Sequence, residues 1–202
     1  MRRLRLAVLI SGSGRSLVNM HERIAAGALD AAIEIVVSSR ADVAGVARAR
    51  GLGLRTIVAD RKKMSGPEFD EAVVRAVEGV DLVCLAGFLS LWTFPDEWYG
   101  RVINIHPALL PEFGGVGMYG ARVHQAVLAA GKTESGCTVH FCDNEYDRGP
   151  IILQRRVPVL GGDTPETLAA RVFEQECIAY PEAIQLFAEG RVSLQGRTVC
   201  IR

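Results

Sequence analysis

Short apolar runs alternate with amphipathic stretches through the first half of the chain, and few folds accept that alternation. Leu4–Ile10 is the first run, interrupted only by Arg5, and reads as a buried strand. A glycine loop and a helix near 16–26 follow. Strand 33–38, helix 41–50 (ended by Gly51-Leu52-Gly53), strand 55–59, helix 68–77 with Pro67 at its start, strand 81–86 and strand Val102–His106 continue the series. Strands that are apolar on both faces, separated by helices, predict a parallel sheet covered on both sides.

The second half changes style. Residues 121–130 read as a helix. In 135–142, Cys137, Val139 and Phe141 share one face, with Thr138, His140 and Cys142 on the other. The next strand, 150–159, follows a loop too short for a helical crossover, so the two strands are antiparallel neighbours. Thr164-Pro165 caps a long helix toward Glu189, with a bend expected at Pro181. Residues 192–201 form a last hairpin. The fold class is therefore α/β: one domain over residues 1–202, a mostly parallel twisted sheet with helices on both faces, and antiparallel C-terminal strands.

Charge narrows the function. Lys plus Arg and Asp plus Glu each number 23, which counts against a protein that wraps nucleic acid. No apolar run reaches the ~18 residues of a membrane span. Met1-Arg2-Arg3-Leu4-Arg5 is followed by only a short apolar run, unlike a signal peptide. The five cysteines are scattered without a C-x-x-C pair, as in a cytoplasmic protein with reduced thiols and no metal site.

Four places carry chemistry. Ser11-Gly12-Ser13-Gly14-Arg15-Ser16, between the first strand and first helix, offers backbone N–H groups and a helix N-terminus to an anion such as a phosphate. It matches neither G-x-x-x-x-G-K-[ST] nor G-x-G-x-x-G, and a plain tight turn is the alternative. Asn104 and His106 lie two apart on one strand, so an amide and an imidazole share a face at a carboxyl end, where open α/β sheets bind ligands. Glu176 falls inside the apolar arc of Leu168, Ala169, Val172, Phe173 and Tyr180. A carboxylate there needs a partner: Arg171 or another arginine, or else a cationic or amine ligand. Phe88, Leu89, Ser90, Leu91 and Trp92 leave the fourth strand as an apolar loop, either ordinary core or a slot for a flat ligand. In the polar loop 143–150, nothing local selects Asp147 over Asp143.

Taken in order, Ser-Gly-x-Gly, Leu-Ala-Gly-Phe, Asn-Ile-His-Pro-x-Leu-Leu-Pro, Gly-Cys-Thr-Val-His-Phe and Asp-x-Gly-Pro-Ile-Ile-Leu-Gln-x-x-Val-Pro-Val resemble the phosphoribosylglycinamide formyltransferases, from about residue 4 to 190. The resemblance implies transfer of a formyl group from 10-formyltetrahydrofolate to the amine of 5′-phosphoribosylglycinamide in purine biosynthesis, without a metal. It implies a catalytic set of Asn104, His106 and Asp147, and so chooses Asp147 over Asp143. It implies phosphate binding by Gly14, Arg15 and Ser16, amine binding by Glu176, folate binding by residues 88–92 and the loop before Asp147, and a cis Leu110-Pro111 bond. Small-molecule partners and a monomer or homodimer are expected. The groups themselves suggest an oxyanion held by Asn104 and a protonated His106, whose charge Asp147 favours.

The chain departs from the family pattern in three places. Relatives carry Ser-Asn or Thr-Asn where Arg15-Ser16 stands; an arginine there either strengthens phosphate binding or faces solvent. The segment 113–120 has four glycines in place of a shorter, histidine-bearing loop, and reads as a mobile lid. The arginine that holds the folate tail in some relatives has no clear match near Ser65-Gly66, where Lys62 or Lys63 is the substitute. Other formyltransferases, a formyltetrahydrofolate hydrolase and a non-catalytic nucleotide-binding module are the alternatives. A chain of 202 residues leaves little room for the extra domains the tRNA and hydrolase enzymes carry.

Overall fold

The computed structural model describes residues 2–202. Seven strands form one sheet in the order β3-β2-β1-β4-β5-β6-β7. They are β1 (Leu4–Ile10), β2 (Ala31–Ser38), β3 (Thr56–Val58), β4 (Leu82–Leu85), β5 (Val102–His106), β6 (Glu134–Phe141) and β7 (Ile151–Pro158). The first five pair in parallel, and β6 and β7 are antiparallel to their neighbours. The expected α/β architecture is present.

Alternation along β1 explains the layers. Leu6, Val8 and Ile10 enter one core; Ala7 and Leu9 enter the other. The first core takes Leu17 and Met20 of α1 (Arg15–Ala25), Val127 of α4 (Ala121–Ala129), and Leu168, Val172 and Tyr180 of α5 (Pro165–Ala188). The second takes Phe69, Val73 and Val77 of α3 (Gly66–Val77), with Trp92, Phe94 and Trp98 of the loop after β4. Burying one Leu- or Phe-sized side chain is worth roughly 1.5–3 kcal/mol, so both faces contribute heavily.

Local chemistry sets the helix ends. Ser65 and Glu68 form a capping box at α3, with Pro67 in its first turn. Thr164 caps α5, and Thr167 reaches back to the Thr164 N–H at 2.9 Å. α5 runs as one helix through Pro181. α2 (Ala44–Gly51) begins three residues later than the sequence suggests. Its Gly45 packs against the glycine loop, where a Cβ would lie 2.6 Å from Gly12 O. Residues 192–201 form the expected hairpin, β8 (Val192–Gln195) with β9 (Thr198–Ile201). No helix among the described residues is long and apolar enough to cross a membrane.

β1 pairs with β2 on one side and β4 on the other, so the connections leaving β1 and β4 diverge at their carboxyl ends. That opens a crevice at the switch point, the usual ligand position in such sheets. Tyr180 pins its floor: its hydroxyl lies 3.0 Å from Leu85 O and 3.1 Å from Ile103 O, at the ends of β4 and β5.

Candidate active site

A cavity of about 500 Å³ fills this crevice. Gly14, Arg15 and Ser16, residues 88–92, Asn104, His106, Asp147 and Glu176 all contribute to its wall. The sequence places them far apart; the sheet brings them together.

The glycine loop is held from two sides. Gly14 is left-handed at φ 73° and N-caps α1 without a side-chain bond. Its Cα face meets Gly45, where a Cβ would sit 2.9 Å from Gly45 Cα. Arg48 donates to Ser13 O at 2.6 Å. The Ser11 hydroxyl accepts the Leu89 N–H at 2.9 Å and lies 2.6 Å from the Ser39 hydroxyl, tying this loop to the apolar one. The apolar loop divides: Phe88 and Trp92 turn into the core, while Leu89 and Leu91 stay exposed at the cavity. Phe88 stacks on Phe69, and Trp92 packs on Phe94 and Trp98.

Asn104, His106 and Asp147 converge as the resemblance implied. Asn104 Nδ2 is 3.4 Å from Asp147 Oδ1, and His106 Nδ1 is 3.4 Å from Asp147 Oδ2. Asp147 reaches them because its backbone is left-handed at φ 55° and Gly149 packs flat on β6. A Cβ on Gly149 would fall 1.7 Å from Phe141 O. Asp143, also on the cavity wall, pairs instead with Arg197 at 3.1 Å.

A fourth member, His140, escaped the sequence reading, which saw only an inward position on β6. It sits directly across from Asn104 in the β5–β6 register. Its Nδ1–H donates to Phe141 O at 2.7 Å. That leaves Nε2 as an acceptor 3.1 Å from Asn104 Nδ2. The β6–β7 register shifts between Val139 and His140, and such irregularities re-aim side chains. The signal available beforehand was the histidine of Thr-Val-His-Phe, on the strand face it shares with Thr138 and Cys142.

The segment after Leu110-Pro111, whose bond is cis, closes over the set. Phe113, left-handed at φ 55°, presents its carbonyl to His106 Nε2–H at 2.8 Å. Gly115 N–H donates to Asp147 Oδ2 at 2.9 Å. Gly114 fits between Leu110 and Asp147, where a Cβ would lie 2.5 Å and 3.1 Å from their side chains.

Charge states follow from these contacts. For Asp147, burial pushes the carboxyl pKa up, but the neighbouring His140 and His106 rings and the Gly115 N–H outweigh it and hold it below the usual value. For His106, burial lowers the pKa more than Asp147 and the Phe113 carbonyl raise it. Desolvation thus outweighs the Coulomb attraction and disfavours the charged ring in the resting site. Cys142 also lines the cavity, but burial raises its pKa well above the ordinary thiol value, so it is no nucleophile.

Glu176 is corrected in one respect. Arg171 is not its partner; that guanidinium binds Asp163 at 2.7 and 2.9 Å. Burial pushes Glu176 up to about 7, opposed by the charge of Arg15. Lys62 and Lys63 lie outside the cavity wall, Lys63 facing Asp60 at 3.8 Å.

The formyl transferase family matches residues 4–184. Phosphoribosylglycinamide formyltransferase of Haemophilus influenzae is 38% identical over 95% of this chain and 90% of its own length. The trifunctional purine biosynthetic protein adenosine-3 of Gallus gallus is 45% identical over 95% of this chain, which spans only 19% of that protein. The solved structure of glycinamide ribonucleotide transformylase 1 from Symbiobacterium toebii is similar at TM-score 0.90 and 42% identity, covering 99% of this chain and 94% of that one. With its fold, its cavity and these near full-length likenesses, the chain belongs to the formyl transferase family and, within it, to the phosphoribosylglycinamide formyltransferases.

Proposed function

We propose that this cavity moves a formyl group from 10-formyltetrahydrofolate to the primary amine of 5′-phosphoribosylglycinamide, a step of purine biosynthesis. The observation that carries the reading is the convergence of Asn104, His106 and Asp147 at the switch point, between an anion-type loop and an apolar loop. The relatives' names support the same acceptor and pathway.

The residues divide the work. Gly14, Arg15 and Ser16 turn backbone N–H groups and the α1 N-terminus to the acceptor's phosphate. Glu176 takes hydrogen bonds from the acceptor's donor groups, its amine among them. Residues 88–92 offer exposed apolar side chains and backbone edges to a pterin. Asn104 Nδ2–H is held to Asp147 by a long 3.4 Å contact, weak enough to pass to a formyl oxygen as charge develops on it. One such donor is typically worth about 3 kcal/mol in the transition state.

His106 and Asp147 handle the proton. As the new C–N bond forms, the amine nitrogen must lose a proton. As the old bond breaks, the folate nitrogen must gain one. A neutral His106 facing an ionised Asp147 accepts at Nδ1, is stabilised there as imidazolium by the carboxylate, and returns the proton. The test is an assay with 10-formyltetrahydrofolate and a panel of acceptors, including none. Formyl transfer to phosphoribosylglycinamide supports the reading; formate release without an acceptor supports a hydrolase; binding without turnover supports a non-catalytic module.

A further inference from the structure

Five carboxylic acids line the cavity, Asp143, Glu145, Asp147, Glu166 and Glu176, against one Lys or Arg among the described residues, Arg15. An acid-rich pocket repels a phosphate unless a cation meets it, so the position of that single guanidinium matters. It lies flat over the Phe173 ring, 4.0 Å from the centroid. Stacking occupies the face of a guanidinium and leaves its N–H edge free for a bidentate oxyanion. Arg15 opens α1 directly after Gly14, and its side chain lines the same cavity as the glycine loop. It acts on Glu176 through its charge rather than a hydrogen bond. Both side chains thus flank one subsite, a cation and a carboxylate presented together.

We propose that the Arg15 side chain, seated on Phe173, is the anchor for the acceptor's phosphate and makes the site select a phosphorylated amine over its unphosphorylated counterpart. This rests on the acceptor reading above and goes beyond it, since backbone N–H groups alone would survive any substitution at position 15. Phe173 is a positioning residue: its ring seats the guanidinium on the cavity wall, beside Glu176.

Steady-state kinetics of the wild type, Arg15→Ala, Phe173→Leu and the double variant test it, with phosphoribosylglycinamide and ribosylglycinamide as acceptors. Arg15→Ala is expected to raise KM for the phosphorylated acceptor 10- to 100-fold, and KM for the unphosphorylated one by a much smaller factor, the part due to losing the charge that helps ionise Glu176. Phe173→Leu is expected to give part of that loss, and the double variant no more than Arg15→Ala. An unchanged KM for the phosphorylated acceptor, or equal losses on both acceptors, overturns the proposal. Calorimetric binding of ribose 5-phosphate separates it from the functional reading. If the wild type transfers no formyl group, weaker ribose 5-phosphate binding in Arg15→Ala still supports the anchor, and unchanged binding overturns it. Arg15 is exposed and outside both cores, so its variant folds; circular dichroism confirms this before kinetics.

Discussion

His106 donates its Nε2–H to the Phe113 carbonyl oxygen at 2.8 Å, and that bond decides which imidazole nitrogen faces Asp147. With the proton on Nε2, a neutral His106 offers the Nδ1 lone pair toward Asp147 Oδ2. The carbonyl comes from an aromatic residue in a left-handed conformation, which is uncommon and held by its surroundings.

Alanine at Asn104, His106 or Asp147 should therefore lower kcat by about 100- to 10,000-fold, in line with lost oxyanion and acid–base groups. Burial lowers the His106 pKa, so activity should hold at neutral pH and fall only below the ordinary histidine value of 6.5. A pH–rate profile of kcat checks both the position and the disappearance of this limb in His106→Ala. Near-wild-type turnover in any of the three variants removes that residue from the set.

Glu176 predicts a second titration of opposite visibility. Its pKa of about 7 means the carboxylate forms only as pH rises, so acceptor KM should fall as pH rises through about 7. Glu176→Gln should raise that KM and flatten its pH dependence. The sign for stability is reversed. The folded pKa lies above the ordinary 4.5, so the native state binds the extra proton, and stability falls as pH rises from about 4.5 through about 7. Glu176→Gln should recover up to about 3 kcal/mol above that window, measured by urea melts at pH 5 and pH 8.

His140 is expected to act through Asn104. His140→Ala removes the acceptor 3.1 Å from Asn104 Nδ2 and frees the amide to rotate. A loss of roughly tenfold in kcat with acceptor KM unchanged fits an orienting role of this size. A change in KM alone would place His140 in binding instead.

Two glycines test the scaffold. Gly45→Ala drives a Cβ to 2.6 Å from Gly12 O and should raise acceptor KM by displacing the glycine loop. Gly149→Ala drives one to 1.7 Å from Phe141 O and should cost both stability and kcat, because the turn that aims Asp147 cannot close. Thermal melts and acceptor kinetics on both variants distinguish the two effects.

Much of this was legible in the residues. Doubly apolar runs between helices announced the parallel strands, and the two-residue spacing of Asn104 and His106 placed them on one face. The rest depended on contacts between distant segments. Asp147 and Asp143 sit in one polar loop, and only the flat packing of Gly149 and the pairing of Asp143 with Arg197 separate them. Arg171 is one partner the sequence offers Glu176, but Asp163 takes it at the helix start. The charge of His106 depends on burial against attraction, a balance that spacing does not encode.

The most direct measurement is formyl transfer by the wild-type protein from 10-formyltetrahydrofolate to phosphoribosylglycinamide, followed beside a reaction lacking acceptor. The account predicts product formation that depends on the acceptor and falls by about 100-fold or more in His106→Ala. Formate released at the same rate without acceptor, or no turnover at all, would contradict it.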